Sequence, residues 1–193
     1  MKLPHRRQFL HLAAGAAALP ALPRIAKAQA YPTRAVRIIV PFAPGGSTDI
    51  SARLIGQWLS ERLGQQFVIE NRPGAGSNIG TEVVVNAPPD GYTLLLVGGS
   101  SAINMTLYEK LNFNFLRDIT PIAGIVSFPF AMVASPSFPA KTVSEFIAHA
   151  KANPGRVNFA SGGNGTAGHL SGELFKMMAG VNMVHVPYRG EAP

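Results

Sequence analysis

The chain has 193 residues, 47% of them hydrophobic and 14% charged, with no cysteine, so it must build an ordinary core without disulfide support. Its net charge of +7 would suggest a nucleic-acid partner, but five of its bases (Lys2, Arg6, Arg7, Arg24 and Lys27) fall in the first 30 residues, where there is no acid. Twelve bases against ten acids remain beyond that point, a net of +2 with no dense basic stripe, which excludes nucleic acid.

Residues 1–30 read as an export signal. Arg6 and Arg7 precede an apolar run over 9–22, and Ala26, Ala28 and Ala30 supply small residues in A-x-A spacing, with cleavage after Ala28 or Ala30. The run is too short, and too broken by Pro20 and Pro23, to span a membrane well. The arginine pair resembles a twin-arginine leader, while His5 and His11 keep the general secretory route open. With no cysteine after the leader for a lipid anchor, a soluble exported product is expected.

Beyond Pro32, short apolar runs alternate with helical patterns, the mark of an α/β architecture. A first strand is predicted over 36–40, a loop over 41–47, and a helix to about Leu63, closed by Gly64. Ile50, Leu54 and Trp58 recur at four-residue spacing on that helix; with Ile55, Leu59 and Leu63 they predict its buried stripe. A second strand over 67–70 leads through the loop 72–77 to a helix ending near Asn86, and 88–91 is a turn. Residues 93–97 read as a strand inside a sheet covered on both faces. A less regular stretch follows Gly98-Gly99-Ser100-Ser101, then the apolar run 122–126 and a proline-marked crossover over 127–139. Thr142 and Glu145 form a capping box for a helix to about Ala152. A strand over 157–160, a glycine-rich loop, a helix over 168–179 and a strand over 183–186 complete the series. Residues 188–193 read as a loop leading toward a further helix, so the second half is expected to be truncated.

One device recurs: a strand ends, a loop of glycine and hydroxyl residues follows, and a helix begins. It occurs at 43–49, at 98–101 and at 160–166. Small residues let backbone approach a ligand, and free N–H groups at a helix start favour an anion. In open α/β sheets such loops gather at the carboxyl ends of the strands, where ligands bind. A single loop of this kind is an ordinary turn; three on successive units favour a binding site.

Other chemistries fit less well. Gly163, Gly165 and Gly168 match G-x-G-x-x-G, but the next strand ends without the acid that would hold a ribose. No phosphate-binding loop, no G-x-S-x-G and no metal-ligand spacing occurs, so no cofactor is expected. Of the histidines beyond the leader, His149 reads as a solvated helix residue and His185 as a packing residue in a strand. His169, beside the glycine loop, is the one placed near a ligand. Asp49 reads as complementing a helix dipole rather than as a general base, and as able to meet an amine or hydroxyl. The competing reading is an exported α/β serine hydrolase using Ser47 or Ser161, which requires a histidine within hydrogen-bond reach of either serine. A third reading is a nonfunctional truncated remnant.

Several segments, in order, resemble the Bug-type substrate-binding proteins of tripartite tricarboxylate transporters. They are VPFAPGGSTD at 40–49, VIENRPGAG at 68–76, PDGYTL at 89–94, FASGGNGT at 159–166 and VHVPYRG at 184–190. That resemblance implies a two-lobed, type II periplasmic-binding-protein-like fold, with a first lobe over 31–131 and an incomplete second lobe over 132–193. It implies a periplasmic protein without catalysis that captures a small carboxylate as a monomer and passes it to membrane subunits. Carried over by position, Gly45, Gly46, Ser47, Thr48 and Asp49 form one half of the clamp, and Ser161, Gly163 and Thr166 the other. Ser100 and Ser101 line the cleft between them.

Overall fold

The β-branched run at 36–40 becomes the middle strand of a parallel sheet, with its four apolar side chains, Val36, Ile38, Ile39 and Val40, all buried. The structure, a computed structural model, describes residues 30–191. Apart from Ala30, the expected export signal lies outside those residues. Strand β1 (Val36–Val40) pairs with β2 (Phe67–Asn71) on one side and β3 (Thr93–Leu95) on the other, all parallel. Val36, Ile38 and Val40 pack with Ala52 and Phe67 to form the first core. A second parallel pair, β4 (Val157–Ser161) with β5 (Met183–Pro187), carries the second core of Phe146, Ala150, Val157, Val181 and Met183.

Helices connect these strands, as parallel pairing requires. They are α1 (Ser47–Leu63), α2 (Asn78–Val85), α3 (Ser100–Leu107), the single turn α4 (Phe115–Asp118), α5 (Val143–Ala152) and α6 (Ala167–Ala179). Gly64 and Gly180 close α1 and α6 in the left-handed conformation. The Thr142 hydroxyl caps α5 by accepting from the Glu145 amide, while the Glu145 carboxylate accepts from Lys141 N rather than closing the reciprocal box.

Two expectations change. The stripe Ile50, Leu54 and Trp58 on α1 is exposed, and the buried face is instead Asp49, Ala52 and Gly56. Small residues at 52 and 56 let the helix lie directly on β2, where a side chain at 56 would meet Ile69. Strand β3 is three residues long, half-buried and at the sheet edge, not covered on both faces. The helix start marked by the 98–101 loop is present as α3, whose buried face (Ser100, Ser101 and Asn104) is polar, although the stretch after it reads as less regular in the sequence. The run 122–126 forms no strand: it finds no ladder partner among the described residues, and Ile122 is 79% exposed.

The entry into α1 is fixed by one carboxylate. Asp49 is 2% exposed and accepts from Gly45 N, the Arg53 guanidinium and the Asn71 amide, whose second N–H reaches Phe42 O. Burial would raise its pKa, but Arg53, the Gly45 amide and Asn71 outweigh it and hold the carboxyl down at about 2. Because the folded value lies below the ordinary 3.8, the stabilisation is fully present above about pH 4 and is lost as pH falls through about 2. Asp49→Asn is expected to lower unfolding stability by about 1–2 kcal/mol at pH 7, with half-solvated Arg53 screening part of the interaction. Urea titrations at pH 7 and pH 3 check this: the gap between wild type and variant should narrow at the lower pH.

Candidate functional site

Three helices begin at one cavity. Gly46, Gly99 and Thr166 are the residues immediately before α1, α3 and α6, and all three lie on the wall of a cavity of about 500 Å³. Ser47 and Thr48 open α1 there, Ser100 opens α3, and Ala167 opens α6. The first-turn N–H groups of these helices lack intrahelical partners and the positive ends of their dipoles lie at the cavity wall; on α6 the His169 N–H is taken by the Thr166 hydroxyl. Phe42 and the irregular segment 126–131, with Phe128 and Phe130, supply an apolar side. Among the described residues no Lys, Arg or His lies on the wall, and the one charged side chain there is Glu191.

The two sheets meet around this cavity through backbone. Ala43 N donates to Arg189 O at 3.1 Å, and the Ser47 hydroxyl donates to Glu191 Oε2 at 2.8 Å. A side chain at Gly76 would collide with the Asn164 carbonyl of the opposite loop. One at Gly165 would collide with the Asn104 amide oxygen. Both glycines have positive φ (59° and 78°), so they serve close approach and left-handed backbone together.

The turn that carries Gly76 is strained. Gly74, Ala75, Gly76 and Ser77 all have positive φ, which for Ala75 and Ser77 is a sparsely populated state. A buried hydroxyl cluster holds it: Ser77 Oγ lies 3.1 Å from Ser100 Oγ and 3.2 Å from Ser101 Oγ, and Thr81 Oγ1 lies 3.0 Å from Ser101 Oγ. Asn104, fully buried, donates to Gly76 O and Asn78 Oδ1, while its own Oδ1 faces Gly165 and has no hydrogen-bond partner.

Of the residues assigned from sequence, Gly46, Ser47, Thr48, Ser100 and Thr166 come together on the cavity wall. Gly45 and Asp49 do not: the Gly45 amide and the Asp49 carboxylate are spent on each other, which leaves the carboxylate no capacity for a ligand amine. Ser101 is turned into the hydroxyl cluster behind the wall. Gly163 lines a second cavity of about 440 Å³ beside the 74–77 turn.

Ser161 points elsewhere again. Its Oγ lies 2.7 Å from His185 Nε2 and also meets Gly163 N and O at 3.2 Å. The His185 ring is stacked between Phe159 at 4.8 Å and His169 at 4.1 Å, so it packs as expected but also holds a serine, a role the alternation of its strand did not signal. Burial pushes its pKa down, and His169 adds to that. His169 Nδ1 accepts from Gly165 N at 3.2 Å, so both imidazoles brace the 161–166 loop. His149 is half-buried rather than solvated, and it packs edge-on against Phe138 at 5.1 Å. Sequence reasoning missed Glu191, Phe42, Gly162 and the 126–131 wall, because nothing in their spacing marks residues that converge only in three dimensions.

Residues 51–193 match the family described as "Tripartite tricarboxylate transporter family receptor". The chain is 43% identical over 168 residues to a UPF0065 protein of Bordetella pertussis, covering 86% of this chain and 52% of that protein. It is 39% identical to BugT of the same organism, with the same coverage. Among solved structures, R. palustris Rpa4515 with adipate superposes with a TM-score of 0.81 at 41% identity, over 84% of this chain and 55% of that one. The chain thus spans about half the length of the curated relatives it matches. Motifs in order, an α/β fold shared with periplasmic binding proteins and a family match over most of the sequence place this chain among the Bug-type members of the tripartite tricarboxylate transporter receptor family.

Proposed function

We propose that this chain is an exported, periplasmic solute-binding protein that captures a small carboxylate and delivers it to the membrane subunits of a tripartite transporter, without converting it. The observation that carries this reading is the convergence of three helix N-termini, from both sheets, on one cavity. A carboxylate placed there would complete hydrogen bonds that the helices leave open. Each dipole contributes about 0.3–1 kcal/mol, or about 2 when partly buried. Micromolar affinity needs about −8 kcal/mol, so hydroxyls and amides from both halves have to act together. Residues 31–131 would form one lobe and the residues from 132 onward the other, closing on the ligand as a monomer. The adipate seen with Rpa4515 belongs to the same chemical class.

Ser161 and His185 satisfy the distance that a hydrolase would need. We read the pair as loop bracing: no carboxylate among the described residues hydrogen-bonds His185, its ring is stacked on both faces, and Ser161 is not on the cavity wall.

Three outcomes are expected. A panel of small carboxylates should contain at least one member that raises the melting temperature by several degrees at millimolar concentration; if none shifts it, the binding reading fails. Gly165→Ala should weaken that ligand by about tenfold or more while leaving the first sheet folded, because the new methyl group keeps the halves apart at Asn104. Hydrolysis of activated esters should stay at the buffer rate and be unchanged in Ser161→Ala; a serine-dependent rate would instead favour the enzyme.

A further inference from the structure

Among the described residues, the one charged side chain on the cavity wall is an acid, an unexpected residue for a site meant to hold an anion. Glu191 is exposed, yet its backbone approaches both glycine loops: its N would lie 3.9 Å from a Cβ on Gly46 and 3.6 Å from one on Gly162. Its carboxylate accepts from the Ser47 hydroxyl at the first turn of α1. It therefore lies beside the place where the helix N-termini would hold a ligand's carboxyl group, and no Lys, Arg or His among the described wall residues offsets it.

This charge distribution restricts what can bind. A plain monocarboxylate would bring a second anion next to Glu191, and a dicarboxylate a third, with no cation supplied by the described wall residues. A ligand that brings its own ammonium group resolves the conflict, since its carboxylate meets the helix starts and its amine meets Glu191 in a charge-assisted hydrogen bond. Phe42, Val126, Phe128 and Phe130 supply an apolar side for the rest of the molecule. We propose that Glu191 is a specificity residue that selects an apolar α-amino acid over the matching unaminated carboxylate. This rests on the carboxylate-binding reading above.

The test compares matched pairs by calorimetry on the purified chain and on Glu191→Gln, which retains an acceptor for Ser47. The pairs are L-leucine with 4-methylpentanoate and L-phenylalanine with 3-phenylpropanoate, with adipate alongside. The wild type should bind at least one amino acid about 5- to 50-fold more tightly than its unaminated partner, the range between a screened and a desolvated ion pair. In Glu191→Gln that preference should collapse to near unity, with the unaminated acids and adipate gaining affinity. Equal or tighter binding of the unaminated acids by the wild type overturns the proposal and leaves carboxylate binding intact. A preference that survives in Glu191→Gln also overturns it. Failure of every compound to bind either protein removes the underlying reading as well.

Discussion

The arrangement depends on backbone meeting backbone between the two sheets. Gly76 against Asn164, and Gly165 against Asn104, permit an approach that any side chain would prevent. Only at that separation do the starts of α1, α3 and α6 face a common space. The cost is visible in the run of positive φ at 74–77 and in the unpaired Asn104 oxygen, both gathered at this seam. Hydroxyls from Ser77, Thr81, Ser100 and Ser101 offset part of it by satisfying one another.

Electrostatics follow from the same geometry. The described wall carries no guanidinium or ammonium group, so what it offers an anion is amide dipoles, which are fixed in place and titrate at no pH. Asp49 contributes indirectly. It ties Gly45, Arg53 and Asn71 together beneath the first loop and so sets the angle at which α1 enters the cavity. On the other side, His169 and His185 brace the 161–166 loop in a comparable way, with imidazole nitrogens in place of a carboxylate.

Much of this was legible in the sequence, and the exceptions have physical reasons. Strands at 36–40, 67–70, 157–160 and 183–186 were evident because β-branched and apolar residues sit between clear turn signals, and the helix ends at Gly64 and Thr142 carried their own caps. The buried face of α1 was misjudged because Ala52 and Gly56 pack by being small, while the larger Ile50, Leu54 and Trp58 face outward. Helix α3 was signalled by its glycine-serine loop but not by periodicity, because its inward face is polar, the reverse of the pattern that periodicity detects. The glycine loops announced a site, but periodicity could not separate Ser47, on the wall, from Asp49, beneath it, nor bring Glu191 to a loop 144 residues away.

Parallel pairing has a consequence for how this molecule reaches its native state. Val36 meets Phe67, Arg37 meets Thr93, and Val157 meets Met183, so no ladder can close as a local hairpin. Each awaits a crossover helix that itself gains stability only by docking on the finished sheet. Chains built from such distant pairings acquire structure slowly compared with helical bundles. For a polypeptide proposed to leave the cytoplasm, that delay lengthens the interval in which it remains unfolded after synthesis.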